Sequence, residues 1–525
     1  MKAHTNAPTE ENSARPSSES IKRAGAKNIF ISVFVAGASF YSLTLIAKHF
    51  GGSVGSDAYF FLASLSTLAS GIIGSLMGTV FLPAFIKLLT HTDKSEAHRF
   101  ASSIFSWSLI ISCVIAVPTI IWSEQFFMLV SRFDASQILQ IDQVLKYFGP
   151  IFLLSVLSEL FRVIALSIGK FSTAALTAIF PPFFLITSLV FLGDSLQEVA
   201  LVASLLLAKI AALIMLVVMV SRHGVRIRFN LTKNLDTFRF VKSSTPYWSA
   251  NVVTNAATFY FDYQASGLGT GVVSALAYAN RIFMLPIVVF LNPLVEISRT
   301  RFAQLQANGE QVAFNNFYNN LVAFTVYFSV PVASIYLLFS EEIISSLFQR
   351  GAFQSESVKI AASCLAIYAW SLPFASLFQV NGRACESFQR LLWPSVFGTF
   401  GNLCMIATTY YFTSLYGYKG IPLAKVAIEL FFFLPFGFIA FQLLGGSPRY
   451  GQIMKSLIAA SFSVMPVIAL FNMSFVKGYS GATYSFYLLI FWIFLFISFY
   501  GFALLIFSSH VRGELKTFWR HRYIR

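Results

Sequence analysis

Polar and apolar positions along this chain separate into long blocks. The run "YLLIFWIFLFISFYGFALLIF", Tyr487 to Phe507, contains no charged residue. A stretch of about 20 apolar residues crosses the hydrocarbon core of a bilayer as one helix. Fourteen such spans are predicted, at roughly 28–48, 57–89, 100–122, 147–168, 172–192, 197–220, 245–266, 272–297, 312–339, 359–382, 391–414, 420–443, 455–475 and 482–508. The second is longer than a bilayer needs, so its inner end is expected to project beyond the membrane. Residues 1–27, rich in Ser, Glu, Lys, Ala and Pro, are expected to form a disordered tail without a cleavable signal.

Composition supports an all-α polytopic membrane protein. Hydrophobic residues make up 56% of the 525 positions and charged residues only 11%, against about 25% charged in soluble domains. The net charge of +15 does not call for nucleic acid, because membrane proteins accumulate Lys and Arg in cytoplasmic loops. With the N-terminal tail inside, the inner segments hold 26 Lys and Arg and the outer ones only six: Arg132, Lys146, Arg350, Lys359, Lys419 and Lys477. That bias predicts both termini in the cytoplasm and an even number of spans. The four cysteines lie in or beside apolar blocks and have no metal-ligand spacing, so neither metal nor cofactor is expected.

A weak internal repeat is visible. "FGGSVGSDAYFFLASLSTL" (Phe50–Leu68) and "SGLGTGVVSALAYANRIFML" (Ser266–Leu285) each join two spans through a short Gly-rich outer turn. Each leads to a long span with a Pro-containing inner end, and six spans separate them, an offset that gives parallel repeats. The expected organisation is a tail (1–27), an N-lobe of spans 1–6 (28–221), a basic cytoplasmic linker (222–244) and a C-lobe of spans 7–12 (245–443). Spans 13 and 14 (444–508) and a basic cytoplasmic tail (509–525) follow. Two lobes about a central cavity is a transporter plan.

Charges inside spans carry the chemistry, since each costs about 2.5–3.5 kcal/mol on insertion scales. Glu159 with Arg162, and Lys425 with Glu429, stand three and four apart, the spacing of a local ion pair. Arg281 differs: no acid lies within ten positions of it, and it sits about ten residues past an outer turn, roughly 15 Å deep. Two readings are open for it. Asp262 on the preceding span could pair with it, or it could face a wet cavity and bind an anion. Lys209 is a second deep cation without a local partner, and Lys48 closes the first span. Asp57 opens the second span, where it could cap its own helix. Gly71, Gly74 and Gly78 lie near one face of that span, marking close helix packing or a bend.

"FGGSVGSDAYFF", "ALAYANRIFMLP", "LFQRGAF" (Leu347–Phe353) and "LPFASLFQVNGRACESFQR" resemble segments of the MurJ/MviN lipid II flippases of the multidrug/oligosaccharidyl-lipid/polysaccharide exporter superfamily. The likeness covers most of spans 1 to 12. It implies fourteen spans, two six-span lobes forming a cavity that opens alternately to each side, and two C-terminal helices that help form a groove for a lipid tail. The implied cargo is an undecaprenyl-pyrophosphate-linked saccharide. Arg281 matches a cavity arginine of that family and Asp57 an acidic position at the start of the second span. Two features depart from the pattern: no arginine lies between Arg23 and Arg99, and Asn280 stands where the family has an acid. The expected cargo therefore includes related envelope or exopolysaccharide precursors besides lipid II.

The expected function is a non-enzymatic flippase of the bacterial inner membrane. Its partners are a lipid-linked oligosaccharide and membrane lipids, with Arg281, Asn280, Asp57, Asp262, Lys209, Lys48, Glu159 and Arg162 as candidate binding residues. One alternative is a drug or cation exporter of the same superfamily, using Asp57, Asp262 and Glu159. Another is a polytopic glycosyltransferase or polysaccharide ligase, but the outer loops near Glu124–Lys146 and Ser340–Lys359 are short and hold no clear acid–base constellation.

Overall fold

In the computed structural model of the chain, residues 18–91, 94–225, 227–231, 235–387, 392–444 and 482–507 are described, with Lys455, Ile458, Ala459 and Phe462. The N-terminal half contains α1 (Ser18–Phe50), α2 (Val54–Leu76), α3 (Leu82–His91), α4 (Lys94–Ile121), α5 (Ser123–Val130), α6 (Ala135–Gln140), α7 (Asp142–Leu145), α8 (Phe148–Ser167), α9 (Phe171–Leu176), α10 (Phe180–Leu196) and α11 (Glu198–Arg222). The C-terminal half contains α12 (Leu235–Ser266), α13 (Val272–Pro286), α14 (Asn292–Ala307), α15 (Gln311–Phe348), α16 (Ser355–Ala369), α17 (Leu372–Ser387), α18 (Leu392–Tyr416), α19 (Gly420–Leu444) and α20 (Ala482–Phe507).

All the expected spans except the thirteenth coincide with helices. That span, 455–475, and the C-terminal tail fall almost wholly or wholly outside the described residues. Among the described residues, eight helices are long and apolar enough to cross a membrane, or nine if α16 and α17, bent by 48°, form one span. Two expectations shift at the edges. Helix α1 starts at Ser18 and so takes in part of the expected tail. Ser18 and Glu19 begin a stretch of good helix formers, and an acid in the first turn favours the helix dipole. Helix α12 starts at Leu235, so residues 235–244 of the expected linker are helical.

The repeat units bend alike. A π turn interrupts the long span in each, at Met77–Phe81 and at Ile287–Leu291. Each π turn is followed by a proline in the next helix, Pro83 and Pro293. Proline cannot donate to the carbonyl four residues back, and a wider turn absorbs that mismatch. The three glycines of α2 divide between the two expected roles. Gly71 leaves room for the Asn255 side chain and Gly74 for the Glu159 carboxylate, whereas Gly78 lies in the π turn and meets nothing within 4 Å. Helix α15 breaks at Phe339, whose φ of −121° and ψ of 24° are not helical, where the ninth span was expected to end.

One core runs through both lobes at the end of the bundle that carries the α1–α2 and α12–α13 turns, here called the turn end. Tyr278 is its aromatic centre, with ring centroids of Phe60 at 5.3 Å, Phe348 at 4.9 Å and Phe353 at 5.1 Å. Phe60 belongs to the N-lobe and the others to the C-lobe. Two smaller cores lie within single lobes, one around Phe81, Phe85 and Phe100 and the other around Phe302 and Phe314. The lobes are therefore welded by apolar packing at the turn end, and the cavity lies beneath.

Candidate functional site

The turn-end closure begins with Asp57. It does not cap its own helix: Ser53 does, accepting from the Ser56 N–H at 3.2 Å. The fully buried Asp57 carboxylate reaches across the lobe boundary to α13. Its Oδ2 accepts from Gly271 N at 2.5 Å and its Oδ1 from Ser274 N at 2.8 Å. Those are the N-cap and third helical positions of α13, which otherwise leave unsatisfied donors at the positive end of a helix dipole. Gly271 has a φ of +85°, and a Cβ there would meet the Gly52 carbonyl oxygen at 2.9 Å. A left-handed residue without a side chain is what lets the α1–α2 and α12–α13 turns touch.

Further bonds reinforce this closure. The Ala352 N–H, within the "LFQRGAF" segment, donates to the Lys48 carbonyl at 2.9 Å. The segment between α5 and α6 clamps the end of α12: Arg132 N donates to Ser266 Oγ at 2.9 Å and its Nη1 to Gln264 Oε1 at 2.5 Å. Gln137 Nε2 donates to Thr270 Oγ1 at 3.0 Å. This loop of short helices was expected only to be short and to lack an acid–base constellation, and its residues carry no charge pattern that would have revealed a lobe-to-lobe clamp.

Below the closure lies a cavity of about 1040 Å³, at the upper end of the range for small-molecule pockets. Its walls come from α2, α12, α13, α14 and α16 to α19. They mix aromatic faces such as Phe259 and Phe374 with polar groups such as Asn255, Asn280 and Asn402. Six charged residues line it: Asp262, Arg281, Glu296, Arg383, Lys425 and Glu429. Most of these charges are engaged. Asp262 Oδ2 accepts from Ser64 Oγ at 2.5 Å. Arg383 bonds Glu386 at 2.8 and 3.0 Å and Glu296 at 2.8 Å, and Arg299 closes the network at 3.6 Å from Glu386 and 3.9 Å from Glu296. Arg281 is the exception. It is exposed to the cavity and forms no ion pair or hydrogen bond with any described residue.

The structure brings Arg281, Asn280 and Asp262 to one cavity, without an ion pair between Arg281 and Asp262. The other five candidates lie elsewhere. Asp57 is engaged at the closure, and exposed Lys48 lends it only a carbonyl. Glu159 and Arg162 form the expected local pair, at 2.8 and 2.5 Å, inside the N-lobe away from the cavity. Lys209 is in the same lobe, outside the cavity lining, and no carboxylate among the described residues stands within ion-pair distance of it; Glu159 pairs with Arg162. Lys425, Glu429, Glu296 and Arg383 line the cavity although they were not among the candidates. Lys425 could have been found by the criterion that singled out Arg281, a cation within a span; its neighbour Glu429 made it look self-contained.

Comparison with known proteins gives the same architecture. The chain is 24% identical over 432 residues to a probable lipid II flippase MurJ of Aquifex aeolicus, covering 79% of this chain and 82% of that one. It is 25% identical over 312 residues to a probable lipid II flippase MurJ of Rhizobium meliloti, a match spanning 56% of this chain and 57% of the relative's length. Its fold is similar to a solved lipid II flippase MurJ in an inward closed conformation, with a TM-score of 0.77, 19% identity and coverage of 92% and 98%. It is also similar to an inward-facing MATE family multidrug transporter of the same superfamily, with a TM-score of 0.66, 13% identity and coverage of 79% and 98%. The lipid II flippase MurJ model matches residues 46–492, and this chain belongs to that family.

Proposed function

We propose that this protein flips an undecaprenyl-pyrophosphate-linked saccharide, lipid II or a related envelope precursor, from the inner to the outer leaflet of the bacterial inner membrane. The observation that carries the reading is Arg281, an exposed cation with no ion partner among the described residues, in a cavity sealed at the turn end. A pyrophosphate cannot cross hydrocarbon unaided, and a guanidinium presents a planar fork that fits phosphate oxygens. The saccharide stays in the cavity while the polyprenyl tail remains in lipid. With both termini cytoplasmic, the sealed turn end faces outward and the cavity receives cargo from the inner side. Opening the closure then releases it. An inside-negative potential favours outward movement of an anion by about 2.3 kcal/mol per charge per 100 mV.

The drug-exporter alternative relied on Asp57, Asp262 and Glu159; of these only Asp262 lines the cavity. The test is reconstitution in proteoliposomes with fluorescent lipid II and, separately, a polyprenyl-linked saccharide repeat unit. Protein-dependent exposure of either head group, lost in Arg281→Ala, is the expected result. Absence of flipping for both, with active export of an organic cation, would overturn the reading.

A further inference from the structure

A second pocket, of about 470 Å³, lies at the turn end and shares no lining residue with the central cavity. Its size falls within the range of about 300–1,000 Å³ usual for small-molecule sites. In the orientation proposed above it opens outward. The corner between α10 and α11 supplies Gly193, Gln197 and Glu198, and the end of α1 with the turn after it supplies His49, Phe50 and Ser53. Ala352 of the C-lobe closes the remaining side.

The corner is strained. Gln197 has a φ of +45° and a ψ of −126°, and among the described residues no other non-glycine has a positive φ. Glycine would take that conformation without a steric penalty. A strained residue that persists in place of glycine points to a use for its side chain, and such residues gather at ligand clamps. The Gln197 side chain is exposed and lines the pocket. Beside it, the Glu198 side chain lies over the first turn of α2, where a Cβ on Gly55 would collide with it. The His49 imidazole lies against Gly193, whose Cβ, if present, would stand 3.9 Å from Nδ1.

The polar groups here are unspent. Through their side chains, His49, Gln197 and Glu198 make no hydrogen bond or ion pair with any described residue. A carboxylate accepts only, whereas an amide and a neutral imidazole both donate and accept. That mixture selects among ligands. An anion would be repelled by the Glu198 carboxylate. A metal ion would leave the amide N–H groups idle, and no group of three metal-ligating side chains occurs among the described residues. A sugar ring uses the whole set. Each hydroxyl donates and accepts, and two neighbouring hydroxyls match the two oxygens of a carboxylate. The half-buried Phe50 ring offers an apolar face to the C–H side of the sugar.

We propose that this outer pocket is a saccharide-binding site. Glu198 accepts from a pair of neighbouring hydroxyls, Gln197 and His49 bond others, and Phe50 covers the C–H face. The site goes beyond the flippase reading, because its lining is separate from the cavity that holds Arg281. A saccharide still attached to its lipid and a free glycan share this chemistry.

The test is saturation-transfer difference NMR of chitobiose and of maltose with the full chain in zwitterionic nanodiscs. The parent should give transfer to ring C–H protons of at least one sugar. Glu198→Gln, which removes a charge-assisted acceptor and keeps the shape, should weaken binding by about tenfold. Gln197→Gly should also weaken it while leaving Tm unchanged or raised, since relief of strain offsets the freedom glycine adds to the unfolded chain. That combination separates a ligand contact from a structural role, which would lower Tm instead. Arg281→Ala should leave the signal as in the parent. Displacement of the sugar by a polyprenyl-linked saccharide, but not by undecaprenyl pyrophosphate, assigns the ligand to lipid-borne saccharide; displacement only by soluble oligosaccharide assigns it to free glycan. No signal from either sugar overturns the proposal. So does a signal that survives both pocket variants, or one lost in Arg281→Ala, which would place the sugar in the central cavity.

Discussion

Removing the Asp57 carboxylate should unlatch the turn end. In Asp57→Ala the Gly271 and Ser274 amides lose acceptors now at 2.5 and 2.8 Å, and both lie where Asp57 is fully buried. A buried donor left unsatisfied costs about 1–3 kcal/mol, and here there are two, at a helix N-terminus that favoured the negative charge. In the opened state water serves both amides, so the penalty falls on the closed state alone. About 2–4 kcal/mol then shifts the closed-to-open ratio by roughly 30- to 1000-fold. The assay is pulsed electron paramagnetic resonance between spin labels at Gln140 on the N-lobe and Glu356 on the C-lobe, both exposed. The four native cysteines are replaced beforehand. The parent should give one short distance; Asp57→Ala should give a dominant longer component. Asp57→Asn should fall between, because its amide keeps one acceptor but presents a donor to a donor. An unchanged distance distribution in Asp57→Ala, with the protein folded, would refute the cross-lobe latch.

Arg281→Ala should fold and reach the membrane normally yet abolish flipping, and Arg281→Lys should restore part of it, as read by complementation of a flippase-deficient strain and by membrane-fraction immunoblot. Because Arg281 and Asp262 form no ion pair, a double-mutant cycle of Asp262→Asn and Arg281→Gln in thermal stability should give a coupling below about 0.5 kcal/mol; transport restored in the double variant would contradict the anion-binding role. Arg132→Ala removes the Gln264 bond but leaves the backbone bond to Ser266, so in the same distance measurement it should open the turn end by about tenfold or less, well below Asp57→Ala.

The sequence alone determined the class and most of the spans of this protein. An apolar block long enough to cross a bilayer must close its backbone hydrogen bonds within itself, so helices follow from local composition. The end of the ninth span near Phe339 and the prolines of the two long spans were also legible locally, whereas the π turns that precede those prolines were not. Arg281 was legible because a charge deep in an apolar block is costly wherever the rest of the chain lies. What each charge meets was not legible. Asp57 stands beside a turn as a helix cap would, but its partners are 214 and 217 residues away, and only lobe docking brings them into reach. Lys425 pairs with Glu429 at 3.9 Å, as their spacing suggested, but its contacts with the Phe283 and Tyr368 rings on other helices were not legible. Of the two readings open for Arg281, pairing with Asp262 is not the one seen: Asp262 accepts from Ser64 instead. Hydropathy is additive along the chain and can be read one segment at a time. The pairing of buried charges depends on distances of a few ångströms between segments far apart in sequence, and only the packed helices fix those.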